Sequence, residues 1–223
     1  MSARAKGQTT SGEPAAGGDE GPGQAPSAAQ VARSEKYEAE RRTLLDAGYR
    51  YLARGSSERG IVLDVLADCS LSTRAFYRHF ESRDEFLLTM LRDDGDRVTR
   101  WLTDIVDQTN TGEEALRAYV RAFLSVAYEA RRARRVRALA SEEVRSARGR
   151  TEVAAQDAEV KRQILRGIFE LGLRDGTIPG AEPVADAYAL NVLLVSYVSD
   201  RLAGVHVVSF RSAVDHTVAL FLR

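Results

Sequence analysis

In the stretch LSTRAFYRHF, residues 71–80, the side chains of Thr73, Arg74, Tyr77 and Arg78 recur at one-, three- and four-residue spacing and so share one face of a helix. Two guanidinium groups beside a hydroxyl and a phenol can read base edges and hold phosphates. Arg74 and Arg78 could each donate bidentately to a guanine, a contact worth about 1–3 kcal/mol of discrimination. The opposite face, Leu71, Ala75, Phe76 and Phe80, is apolar and must pack. Just upstream, Ile61, Val62, Val65 and Leu66 give a second short helix its apolar face, with only residues 68–71 between the two. Two short helices joined that tightly predict a helix-turn-helix, whose second helix suits a major groove.

The elements that hold this pair can be read on either side. Upstream, Tyr37, Leu44, Leu45, Gly48, Tyr51 and Leu52 form a stripe at helical spacing, with Ser34 as the expected N-cap and Gly55 as the stop. Residues 34–81 are therefore read as a three-helix domain. Downstream, Ser82 followed by Glu85 is a capping signal that opens a long helix through Phe86, Leu87, Met90, Val98, Trp101, Leu102 and Ile105. Helical stripes continue through Leu116–Tyr128, through Val136, Leu139 and Val144, and from Val153 to Leu171 with a stop at Gly176. Pro183 starts another helix that ends by Gly204, and a last one follows Ser209. Clean period-two alternation is absent, so the chain is expected to be all-α: about nine helices, with a C-terminal helical bundle over 82–223. Residues 1–33 are read as a disordered tail, because the first 27 carry no large apolar side chain after Met1. Arg4 and Lys6 of that tail could meet DNA phosphates, although a solvated tail needs no such role.

Composition narrows the class. With 223 residues and 44% apolar side chains the chain can build a substantial core, and its 32 basic and 32 acidic residues cancel. Any contact with nucleic acid must then come from a local patch rather than bulk charge. One cysteine excludes an internal disulfide and a cysteine-based metal cluster. Cys69 is read as a small side chain of the helix-turn-helix core. The histidines His79, His206 and His216 lack metal-ligand spacing, so no metal and no cofactor is expected. Neither a nucleophile elbow nor a phosphate-binding loop is present, which leaves an enzyme without catalytic residues. The N-terminus lacks the apolar core of a signal peptide, and the apolar run at 187–198 is too short to span a bilayer. The chain is expected to be cytoplasmic, with no membrane partner.

The string ADCSLSTRAFYRHFESRDEFL and the helix order around it resemble the DNA-binding domain of the TetR family of bacterial transcriptional regulators; the likeness runs from residue 34 to about 91. It implies that the first three helices bind double-stranded DNA, that the fourth connects, and that the rest form an effector pocket and a homodimer interface. Ser72, Thr73 and Arg74 would then open the recognition helix, where backbone N–H groups favour phosphate. The resemblance also implies phosphate contacts for Tyr77 and His79, and for Arg83, which stands where the family most often has Lys. Three positions depart from the family pattern: Ser70 replaces the usual turn glycine, Gly60–Ile61 replaces a capping Thr so that Ser57 or Gly60 must cap, and Ala75 replaces Thr.

The C-terminal half offers Trp101, Tyr119, Phe123, Tyr128, Phe169, Tyr188 and Asn191 as candidate effector contacts, apolar rings with a few polar anchors. Each ring fits equally well as plain core. Asn191, an amide among leucines and valines, requires a partner. The run RRARRVR, residues 131–137, suggests either a solvated face or arginines that pair with acidic residues of the DNA-binding head. The leading expectation is a homodimeric, ligand-responsive regulator, a repressor released from a pseudo-palindromic operator by a small apolar or aromatic molecule, with the last two helices (183–201 and 210–222) as dimer surface. The alternative is a helical protein that sequesters a small molecule behind a weakened head.

Overall fold

The computed structural model describes residues 27–55, 58–205 and 208–222. Ten α-helices and no strand occur among them: α1 Ala28–Arg54, α2 Ile61–Cys69, α3 Thr73–His79, α4 Arg83–Val106, α5 Gly112–Tyr128, α6 Ala130–Leu139, α7 Glu142–Arg145, α8 Arg150–Asp175, α9 Pro183–Leu202 and α10 Phe210–Ala219. The all-α expectation holds. The extra helix arises because the stripe of Val136, Leu139 and Val144 is broken between Leu139 and Glu142 into α6 and the single turn α7.

Helix ends follow local chemistry. The Ser82 hydroxyl accepts from the Glu85 N–H at 3.0 Å, and the Glu85 carboxylate reaches back to the Glu81 N–H, so α4 opens with the expected reciprocal cap. Pro183 begins α9, and Gly176 closes α8 at φ 77°. The start of α1 differs from expectation. It lies at Ala28 rather than at Ser34, with Ser27 Oγ accepting from the Gln30 N–H and Gln30 Oε1 accepting from the Ser27 N–H. Ala28, Ala29, Gln30 and Ala32 are strong helix formers, and they extend the helix upstream although nothing there is buried. The rest of the expected tail, residues 1–26, and the alternative cap Ser57 lie outside the described residues.

Residue contacts divide the chain into two units, Met1–Tyr37 and Glu38–Arg223. In the first, residues 27–37 are an exposed stretch of α1. The second holds two apolar cores. One gathers Leu44, Tyr51, Ile61, Val65, Phe76 and Phe80 from α1–α3 with Phe86, Leu87 and Met90 of α4, and also takes Leu139, Val144 and Val153 from α6, α7 and α8. The other joins Leu102 of α4 to Leu116, Tyr119 and Leu124 of α5, Leu165 and Phe169 of α8, Leu190 and Leu194 of α9, and Val214 and Val218 of α10. Helix α4 thus packs its first half into one core and its second half into the other.

Glycine permits the closest crossing. A Cβ on Gly112 would lie 2.2 Å from the Gly172 Cα, so α5 and α8 touch backbone to backbone there. The crossing is pinned by the Gly112 N–H donating to Asp175 Oδ2 at 2.7 Å and the Glu113 N–H to Thr177 Oγ1 at 3.1 Å.

Candidate nucleic-acid interface and ligand groove

The turn between α2 and α3 is made without glycine. Ser70 adopts φ 53°, ψ 35°, the one non-glycine residue at positive φ among the described residues, and the Leu71 N–H donates to Leu66 O at 3.2 Å to close α2. Of the two routes open to a non-glycine turn, the chain takes the left-handed one, at a cost of about 1–2 kcal/mol. Gly60 occupies the N-cap of α2 at φ 79° without a side-chain cap.

Helix α3 is seated by aromatic packing. Phe76 is fully buried, with ring centroids 5.4 Å from Phe80 and 5.2 Å from Phe86, and Phe80 and Phe86 lie 4.9 Å apart. The other face of α3 is open. Ser72 caps the helix, its hydroxyl accepting from the Ala75 N–H at 3.2 Å. Thr73, Arg74, Tyr77 and Arg78 are exposed, and the Tyr77 ring stands edge-on to Phe76. Arg74 makes no ion pair among the described residues, whereas Arg78 is paired with Glu40 of α1. Five residues of the expected DNA-binding set are therefore brought to one surface.

The remaining two are placed otherwise. The His79 side chain is fully buried, with Nε2 3.2 Å from Glu40 Oε2, so it steadies α3 against α1 and is not presented to a phosphate. A residue six positions after Thr73 lies back on the packed side of the helix. Arg83 donates from Nη2 to Glu143 Oε1 at 2.7 Å and from Nη1 to Asp84 Oδ1 at 3.1 Å, and is committed to α7. Neither acidic partner, Glu40 nor Glu143, stands out in the sequence. Each is remote from the arginine it holds, and a single Glu on an amphipathic helix carries no distinguishing signal.

The seven effector candidates occupy different settings. Tyr119, Phe123 and Phe169 are core: Tyr119 stacks on Phe123 at 6.1 Å, and Phe169 meets Phe221 at 5.8 Å. The Tyr119 hydroxyl is buried without a hydrogen-bond partner among the described residues, and burial, reinforced by the Asp157 charge, pushes its proton affinity well above the ordinary phenol range. Asn191 is buried, and its Oδ1 has no hydrogen-bond partner among the described residues. Tyr128 donates to Val208 O at 3.1 Å beneath the Arg201 guanidinium. Tyr188 is 60% exposed, in line with Val184, Val192 and Val195 on the outside of α9.

Trp101 alone among the seven lines a groove of about 310 Å³ between α4, α5 and α6. Its walls are Val98, Trp101, Val126 and Val136, and its rim is Asp94, Arg97, Arg132 and Arg135. The Arg132 guanidinium lies 4.1 Å above the Trp101 ring and donates to Ser125 Oγ at 2.9 Å. Arg135 donates from Nε to Asp94, which Arg97 also holds, and its guanidinium lies 3.8 Å over the Tyr49 ring of α1. The Tyr49 hydroxyl in turn donates to Met90 O at 2.7 Å. The 131–137 cluster thus meets the head, through an aromatic face and an acid of α4 rather than through acidic residues of α1–α3. Arg131, Arg134 and Arg135 also border a second cleft of about 310 Å³ against Tyr49, Arg50 and Ala53.

Cys69 is half-buried, its thiol donating to Thr43 O at 3.5 Å, and burial raises its proton affinity, as suits an inert core thiol. No cluster of metal-ligating side chains occurs among the described residues, and no helix is long and apolar enough to cross a membrane. His206 lies outside the described residues.

This fold, a helix-turn-helix head continued by α4 into a helical body, is shared with solved transcriptional regulators. The chain superposes on FadR of Bacillus subtilis, solved in complex with stearoyl-CoA, with a TM-score of 0.66 over 81% of this chain and 96% of that one at 14% identity. It matches a candidate TetR-family regulator of Mesorhizobium loti with a TM-score of 0.64 over 83% and 96% at 14% identity. AibR, solved with isovaleryl coenzyme A and operator DNA, gives 0.55 over 82% and 98% at 16% identity. At these identities the likeness defines the fold. Sequence comparison finds no family model and no curated protein that matches the chain.

Proposed function

We propose that the protein is a sequence-specific DNA-binding regulator of transcription, a repressor that leaves its operator when a small organic molecule occupies the body. The observation that carries this reading is the division of α3: one face locked by Phe76 and Phe80 against Phe86, the other presenting Ser72, Thr73, Arg74, Tyr77 and Arg78 together. Arg74 and Arg78 read bases, and Ser72, Thr73 and Tyr77 set the register on the backbone. Its fold is shared with AibR, solved on operator DNA, and with FadR, solved with stearoyl-CoA. The domain limits follow function: residues 34–81 as head, 82–223 as body.

One head makes few base contacts, so the reading includes a homodimer with two half-sites in a pseudo-palindrome. Val184, Tyr188, Val192 and Val195 support it, a stripe at four-, four- and three-residue spacing on α9, each at least half exposed. The effector acts by favouring a state in which α4 holds the two heads at the wrong separation. The groove under Trp101 is its site, since α4 forms one wall and Arg135 ties the rim to α1. Against the sequestering alternative, Ser70 and Gly60 are accommodated in a complete α2–turn–α3. The protein is not an enzyme and works in the cytoplasm, where its DNA is.

Footprinting on the DNA flanking its own gene tests the reading: protection of two half-sites about one helical turn apart, weakening steeply with salt, is expected. Equal affinity for random DNA would overturn it.

A further inference from the structure

We infer that the groove under Trp101 takes a small organic monoanion, an aromatic or branched aliphatic acid, whose negative group is held by Arg135. The inference rests on the reading of this groove as the effector site and adds the chemical class. Three guanidinium groups, Arg97, Arg132 and Arg135, face two carboxylates, Asp94 and Glu129, since Glu129 pairs with Arg132 from outside the groove; one positive charge is left over. Arg135 Nη2 is buried and has no hydrogen-bond partner among the described residues. A guanidinium donor without an acceptor is costly; Nη2 itself has almost no exposed surface, so an anion in the groove relieves it by drawing the Arg135 side chain, which is partly exposed, toward the groove.

The walls select the rest of the molecule. Valines and an indole already covered by a guanidinium accept a flat or branched apolar body, not a sugar or a polyphosphate. At about 310 Å³ the groove stands at the small end of ligand sites, which span about 300–1,000 Å³. Because Arg135 also lies over Tyr49, an anion that draws it toward the groove alters the packing of α1 and so reaches the head.

Trp101 is the chain's only tryptophan, so its emission reports on this groove. The probes are 1-anilinonaphthalene-8-sulfonate and N-phenyl-1-naphthylamine, the same body with and without the anionic group. Energy transfer from Trp101 should saturate at one sulfonate probe per chain, binding about 10-fold or more tighter than the neutral one. Arg135→Gln should bring the sulfonate down to the neutral probe's affinity, with far-UV dichroism and the urea midpoint reporting the fold of the variant. Equal affinities for the two probes, absence of transfer from Trp101, or a preference unaltered by Arg135→Gln would each overturn the inference. Gel shifts on the same samples separate the two readings. Anion preference without sequence-specific DNA binding removes the regulator and leaves the groove assignment standing; sequence-specific binding without anion preference does the reverse.

Discussion

Helices α3 and α6 both carry arginines at high density, and their fates differ. On α3, Arg74 and Arg78 stand on an exposed face because the opposite face is locked among Phe76, Phe80 and Phe86. On α6, Arg132 and Arg135 lie over Trp101 and Tyr49 and bond to Ser125, Glu129 and Asp94. In the richer run, RRARRVR, Arg132 and Arg135 turn inward while Arg131, Arg134 and Arg137 stay exposed. What decides is what surrounds the charge: α3 has aromatic neighbours behind it and solvent in front, whereas on α6 the guanidinium groups of Arg132 and Arg135 find rings and acids of α1, α4 and α5 within reach. Charge density along a sequence is thus a poor guide to a nucleic-acid surface.

Five measurements bear on this contrast. Phe76→Ala strikes the seat of α3 and should cost about 3–5 kcal/mol in urea unfolding; a loss below 1 kcal/mol would mean that the aromatic cluster does not hold the helix. Arg74→Ala should weaken operator binding by about 1–3 kcal/mol and relax the preference at one base position. The matched control is Arg131→Ala with Arg134→Ala, expected to change operator affinity by less than about 0.5 kcal/mol and to alter the response to effector; a drop like that of Arg74→Ala would place α6 on the DNA and erase the contrast.

Ser70→Gly relieves a left-handed serine and should raise stability by about 1 kcal/mol with α3 unmoved, read as a higher urea midpoint at unchanged slope. The smallest effect is expected at Arg83. Its pair with Glu143 is partly exposed and worth about 0–1 kcal/mol, so Arg83→Ala should leave the salt dependence of DNA binding as it was. A slope reduced by about one would instead assign Arg83 to a phosphate.

Much of the fold could be read before the structure. The stripe of Leu44, Leu45, Tyr51 and Leu52, the Ser82–Glu85 cap, Pro183 and Gly176 are local signals, and each holds because caps and apolar periodicity depend on neighbours a few residues away. The early start of α1 at Ala28 and the break between α6 and α7 are boundary matters, where propensity is weak and competing terms are close. At the site, the exposed set on α3 was legible because one period places the packed and open faces opposite each other. His79 was not, because its burial depends on Glu40, 39 positions away.

The sequence by itself determined the helices, the tight α2–α3 turn and the two-faced character of α3, all of which follow from spacing and side-chain type within one or two turns. Only the tertiary structure decided which arginines face outward, that Trp101 lines the groove between α4, α5 and α6, and that Arg83 and Arg135 bridge helices. Those outcomes depend on partners 41 to 86 positions away in the chain, Asp94 and Tyr49 for Arg135 and Glu143 for Arg83, and such distant pairing leaves no local pattern to read.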